Sequence, residues 1–157
     1  MADDEQEQKK PKDIRITIGD IESIKRAFSD RKYDEFKQLL AEKPYQLWTA
    51  KYVYASDYEG SPDFVLTNKN LGFVQSDVLA ENRRHLYIAF VCRKEGRVPV
   101  FSSYWIVNIN ESLESFLGDE YKDFTFIKAD LETIISGFCR TLQDTTTEKP
   151  LSFEKFQ

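Results

Sequence analysis

The chain has 157 residues, 41% of them hydrophobic and 31% charged, which suits one soluble domain with a core of useful size. A formal charge of −5 with no basic stretch argues against nucleic acid as a partner, because phosphate binding draws on clustered Lys and Arg. The longest unbroken apolar run, "LYIAFVC", falls well short of the roughly 20 residues that a membrane-spanning helix needs.

Residues 1–13 are polar and charged, and such a composition predicts a disordered tail. They hold no hydrophobic leader segment, so the expected location is cytoplasmic, with Cys92 and Cys139 as reduced, buried thiols. "IRITI" alternates strictly and predicts a short strand. "DIESIKRAF" then spaces Ile21, Ile24 and Phe28 for one helix face, with Asp20 or Thr17 as cap. "SDRKYDEFKQLLAEKP" repeats the pattern with Tyr33, Phe36, Leu39 and Leu40, capped by Ser29 and stopped by Pro44. Together they form an N-terminal helical hairpin.

Strand signals follow. "YQLWTAKYVYA" sets Trp48, Ala50, Tyr52 and Tyr54 on one face. "DFVLT" and "LGFVQ" read as two short strands around the turn "NKN", and "SDVLAENRR" as a brief helical turn. Two longer strands, over residues 85–93 and 98–109, are joined by "KEGR", which does not look like a two-residue turn. "NESLESFLG" reads as a short helix with Asn110 as cap and Gly118 at its end. "FTFIK" is a last strand, and "DLETIISGFCRTLQ" is an amphipathic helix from an Asp130 cap. Residues 144–157 read as a loose C-terminal tail. The expected fold is a single α+β domain over residues 14–143. Its sheet is mostly antiparallel, of about five to seven strands, with the helical hairpin and the C-terminal helix packed on it.

Both long strands are apolar on both faces. Leu86, Ile88, Phe90 and Cys92 oppose Tyr87, Ala89 and Val91, while Phe101, Trp105, Val107 and Ile109 oppose Val100, Tyr104 and Ile106. Either helices cover both faces or one face meets a partner, and the four expected helices make full cover the simpler outcome.

Catalytic patterns are missing. His85 is the single histidine and reads as a surface residue at a strand start, on the face opposite Cys92. Seven residues of strand would hold the two roughly 23 Å apart, whereas a dyad needs about 3 Å. One His and two isolated Cys cannot furnish a four-ligand zinc site. "SDYEGSPD" clusters Asp57, Glu59 and Asp63 but lacks the calcium-loop spacing. The six glycines form no phosphate cradle, so no catalytic residue, metal or cofactor is expected. "NRRHLY" and "CRKEGR" mix bases with aromatics, but charge at strand ends usually means solvation.

The order of helical pair, aromatic sheet and closing helices loosely resembles small bacterial immunity proteins and acidic secretion chaperones. The Leu-Pro and Asn-Gly-Gly signatures of the first are absent, and the second shares only size and acidity. The expected function is a non-catalytic protein-binding module: an immunity, adaptor or chaperone-like protein. It would use an aromatic sheet face and the acidic C-terminal third to meet another protein. Tyr87 and Tyr104 are the candidate contacts on that face, since Tyr combines broad apolar area with a polar tip. Tyr58, Glu59 and Asp63 would supply the polar rim. The alternative is a small aromatic-lined ligand-binding cup or enzyme.

Overall fold

The computed structural model describes residues 17–143 and 151–157. Helix α1 (Ile21–Ser29) starts at Asp20, whose carboxylate accepts from the Glu22 and Ser23 amides, so that expected cap is in place. Helix α2 (Tyr33–Glu42) follows after Lys32 with no side-chain cap; Ser29, expected to cap it, is the last residue of α1. The turn between them places Arg31 at φ +61. The tail over residues 1–13 and the first three residues of "IRITI" lie outside the described residues, and Thr17 and Ile18 are not in a strand. Instead, buried Asn108 holds this entry segment. Its Oδ1 accepts from the Ile18 and Gly19 amides at 2.8 and 2.7 Å, and its Nδ2 donates to the Gly19 carbonyl.

Five strands follow: β1 (Gln46–Tyr52), β2 (Leu86–Glu95), β3 (Val98–Val107), β4 (Phe124–Lys128) and β5 (Ser152–Phe156). They form an antiparallel sheet in the order β4-β1-β3-β2-β5, so the α+β expectation holds. The pairing of Glu95 with Val98 closes the β2–β3 hairpin through Gly96 and Arg97 alone. This corrects the turn reading: Gly96 takes φ +67 at the first central position, where glycine carries no Cβ penalty. Residues 152–156, read as part of a loose tail, pair with β2 from Ser152–Cys92 to Phe156–Ile88. "SFEKF" was too short, and too interrupted by charge, to signal a strand that only β2 could template.

The largest correction concerns residues 63–73. They form one helix, α3 (Asp63–Phe73), rather than two strands. Its buried residues Leu66, Asn70 and Phe73 fall at helical spacing, and Asn70 belongs to the supposed turn "NKN". Asn70 Nδ2 donates to the Phe90 carbonyl at 3.2 Å and to Ser152 Oγ at 3.1 Å, so a residue typical of turns serves as a buried tie between α3, β2 and β5. Helix α4 (Asp77–Glu81), capped by Ser76, matches the expected helical turn. Helix α5 (Leu113–Leu117) is capped by Ser112 rather than Asn110, and Gly118 ends it at φ +63. Helix α6 (Leu131–Gln143) begins at Asp130, whose Oδ1 accepts from the Thr133 amide at 2.8 Å.

The helices sort to opposite sides of the sheet. Leu66 and Phe73 of α3, Leu79 of α4 and Phe116 of α5 pack against Leu86, Ile88, Phe90, Cys92, Phe101 and Trp105. On the other side, α1, α2 and α6 bring Ile24, Phe28, Phe36, Leu40, Ile134 and Phe138 against Tyr87, Ala89 and Ile106. The doubly apolar strands are therefore central strands covered by helices on both faces.

Candidate functional site

The β2–β3 turn and the loop between β1 and α3 meet at one end of the molecule. The Gly60 amide donates to the Arg97 carbonyl at 3.0 Å, and Lys94 pairs with Asp63 at the start of α3. Gly60 adopts φ +76, a conformation that favours glycine, and the exposed Arg97 guanidinium lies over it. The Tyr58 ring meets Phe101 edge-on at 5.8 Å, and Tyr54 meets Tyr52 at 5.6 Å. The Lys69 ammonium, projecting from α3, stands 4.7 Å from the Tyr52 ring, 4.9 Å from Phe73 and 6.0 Å from Tyr58. Each such contact contributes about 0.5–1 kcal/mol near a surface, which fixes the rings beneath the loop.

Around this frame, Phe64 is 66% exposed, Tyr54 47% and Val98 44%. Phe64 is anchored by its neighbour Asp63, and Val98 by the hairpin turn. The exposed charges Asp57, Glu59, Asp63 and Arg97 belong to the same loop and turn. The arrangement offers aromatic and aliphatic surface with a mixed-charge rim, the composition that protein contacts favour.

The five residues expected to bind divide between two regions. Tyr58 (half-buried), Glu59 and Asp63 (both exposed) sit at the hairpin end. Tyr87 does not reach the surface, which corrects its expected role: it is fully buried, 4.9 Å from the Phe138 ring and 6.1 Å from Phe28. Its hydroxyl meets no hydrogen-bond partner among the described residues, and burial raises its pKa steeply. Tyr104, on the same face, is half-exposed because α6 crosses it at Gly137. Its ring borders a cleft of about 430 Å³ lined also by Asp130, Glu132, Thr133 and Ser136. The Thr133 hydrogen bonds hold the Asp130 carboxyl below its usual range. Two carboxylates and two hydroxyls suit a hydrogen-bond donor or cation more than an apolar ligand.

His85 was expected at the surface on the face opposite Cys92. It is buried in a 3-10 turn ahead of β2, and its ring meets Phe116 edge-on at 6.0 Å. Because β2 begins at Leu86, strand alternation does not govern His85, and it shares the Cys92 side of the sheet. The strand length between them still spans roughly 20 Å. Burial pushes the Cys92 thiol up to about 11 and also raises that of Cys139. Among the described residues, no three His, Cys, Asp or Glu side chains gather as a metal site, and no helix is long and apolar enough to cross a membrane.

Sequence reasoning missed Tyr54 and Phe64. Strand alternation puts Tyr54 on one face with Trp48, Ala50 and Tyr52, but β1 ends two residues earlier. Phe64 was read into a strand, although Ser61-Pro62-Asp63 is a usable helix-start signal. No protein-family model matches the sequence, and no curated protein matches it either.

Proposed function

We propose that this protein is a non-catalytic binding module that engages another protein through its hairpin end. The supporting observation is the exposure of Phe64, Tyr54 and Val98 on a framework braced by the Lys94–Asp63 pair and the Gly60–Arg97 hydrogen bond. Tyr58, Glu59 and Asp63 keep the rim role the sequence suggested. The contact surface itself moves from the sheet to its end, because helices cover both faces. Aromatic anchors on a pre-arranged framework lose little conformational entropy on binding.

The test is the double substitution Tyr54→Ser and Phe64→Ser, with affinity for a partner isolated from the native cell measured by calorimetry. Phe64 is 66% exposed and Tyr54 47%, so the unfolding midpoint should fall only modestly while affinity falls at least tenfold. Unchanged affinity would reject this surface. A second reading, binding of a small cationic ligand, draws on the cleft beside Tyr104. Glu132→Gln with Ser136→Ala would weaken such a ligand and leave partner affinity intact.

A further inference from the structure

Strand β4 is an outer strand of the sheet, and among the described residues only β1 pairs with it. Two hydrogen bonds set the phase of that ladder: the Ala129 amide donates to the Leu47 carbonyl and the Val53 amide to the Asp123 carbonyl, both at 2.9 Å. Antiparallel pairs alternate, so Thr125 and Ile127 also turn their backbone groups toward β1, and Phe124, Phe126 and Lys128 turn theirs to the open edge. Aromatic packing holds the strand in place as a template. The Phe126 ring stands 5.0 Å from Trp105 and stacks on Tyr121 at 5.2 Å, while Phe124 meets Tyr52 at 5.7 Å. Ile127, by contrast, is 63% exposed.

Natural sheets blunt an unpaired edge with proline, a bulge or a charge inside the strand. β5, at the opposite edge, carries Glu154 and Lys155 in its middle. β4 has no proline or glycine, and its single charge, Lys128, is its last residue. The strand is also complementary to itself. An antiparallel pairing centred on Phe126 engages all 5 residues: Phe126 meets Phe126 of the second copy and Phe124 meets Lys128, so every outward N–H finds an outward C=O. Exposed Ile127 then lies opposite Thr125 of the second copy, in the close position where side chains interact most. At each end Lys122 and Asp123 of one copy approach Lys128 and Asp130 of the other, so each copy brings one charge of either sign. We infer that two copies of this chain associate through β4, joining their sheets into one continuous sheet. A single pair of 5-residue strands falls short of the roughly 1,200 Å² that stable interfaces bury, so the dimer exchanges rapidly, with a dissociation constant on the order of 0.1 mM.

The experiment is analytical ultracentrifugation of the full chain from about 10 μM to about 1 mM, a range that brackets the expected dissociation constant. The average mass should rise from monomer toward dimer and stop there, because a two-fold pairing uses up the edge. Thr125→Lys with Ile127→Lys alters two exposed side chains, so the fold should hold. Like charges then face each other across the strand pair, and association should weaken at least tenfold. Thr125→Glu with Ile127→Lys sets opposite charges in the same places and should restore it. Phe64→Ser, at the proposed partner surface, should leave it unchanged, which separates this contact from the one proposed above. A chain that stays monomeric up to about 1 mM would overturn the inference. So would a dimer that survives the like-charge variant, that the opposite-charge variant fails to restore, or that Phe64→Ser abolishes.

Discussion

Replacing Tyr87 with Ala tests whether the second sheet face is closed by helices. The side chain is fully buried, with its ring among Phe28 and Phe138. Removing about 150 Å² of aromatic surface at about 25 cal/mol per Å² costs roughly 4 kcal/mol. The cavity left behind adds to this, and loss of a buried hydroxyl without a partner returns about 1 kcal/mol. The expected net loss is thus about 4 kcal/mol, a fall of roughly 12 °C or more in Tm for a domain of this size. Urea unfolding followed by tryptophan fluorescence measures it, with Tyr87→Phe as companion. The Phe variant should be as stable as the parent or up to about 1 kcal/mol more stable, because only the unpaired hydroxyl is lost. A loss below about 1 kcal/mol for Tyr87→Ala would show that the face is open and refute the packing described above.

Truncation before Leu151 removes β5 and buried Phe156, and should destabilise the domain by about 2–3 kcal/mol or more while leaving the β2 edge open to association; denaturant midpoint and light scattering report both. Gly137→Ala gains helix propensity, but its Cβ would meet the Tyr104 ring at 2.4 Å, so calorimetry should find a net loss of about 1–2 kcal/mol. Native Cys92 should resist iodoacetamide at neutral pH and react only on unfolding. Because its folded pKa of about 11 exceeds the ordinary 9.0, the unfolded thiol ionises first, and its contribution to stability declines as pH rises from 9 to 11. Urea unfolding of Cys92→Ala beside the parent across that range would reveal the difference.

The parts of the fold legible in the sequence were those written in a single period. Ile21, Ile24 and Phe28 gave α1, Ile134 and Phe138 gave α6, and the alternation in β2 and β3 gave both sheet faces. Helix α3 was not legible, because its apolar residues form no clean stripe and its buried face includes Asn70, which hydrogen-bonds to the Phe90 carbonyl and Ser152. Strand β5 depends on pairing across the sheet, which local pattern does not encode. At the candidate site, the polar rim was visible as an acid-rich loop. The exposure of Tyr54 and Phe64 required knowing where β1 stops and α3 starts. His85 looked solvated because arginines precede it, but in the fold it is buried, with its ring against Phe116.

The claim that the hairpin end binds a protein meets its most direct test in site-specific photocrosslinking inside the native cell. A benzophenone amino acid replaces Phe64 in one sample and Glu132, at the Tyr104 cleft, in the other. The account predicts one discrete crosslinked species from position 64, of the same mass across repeats, and none from position 132. No crosslink from position 64, or the same species from both positions, would contradict it.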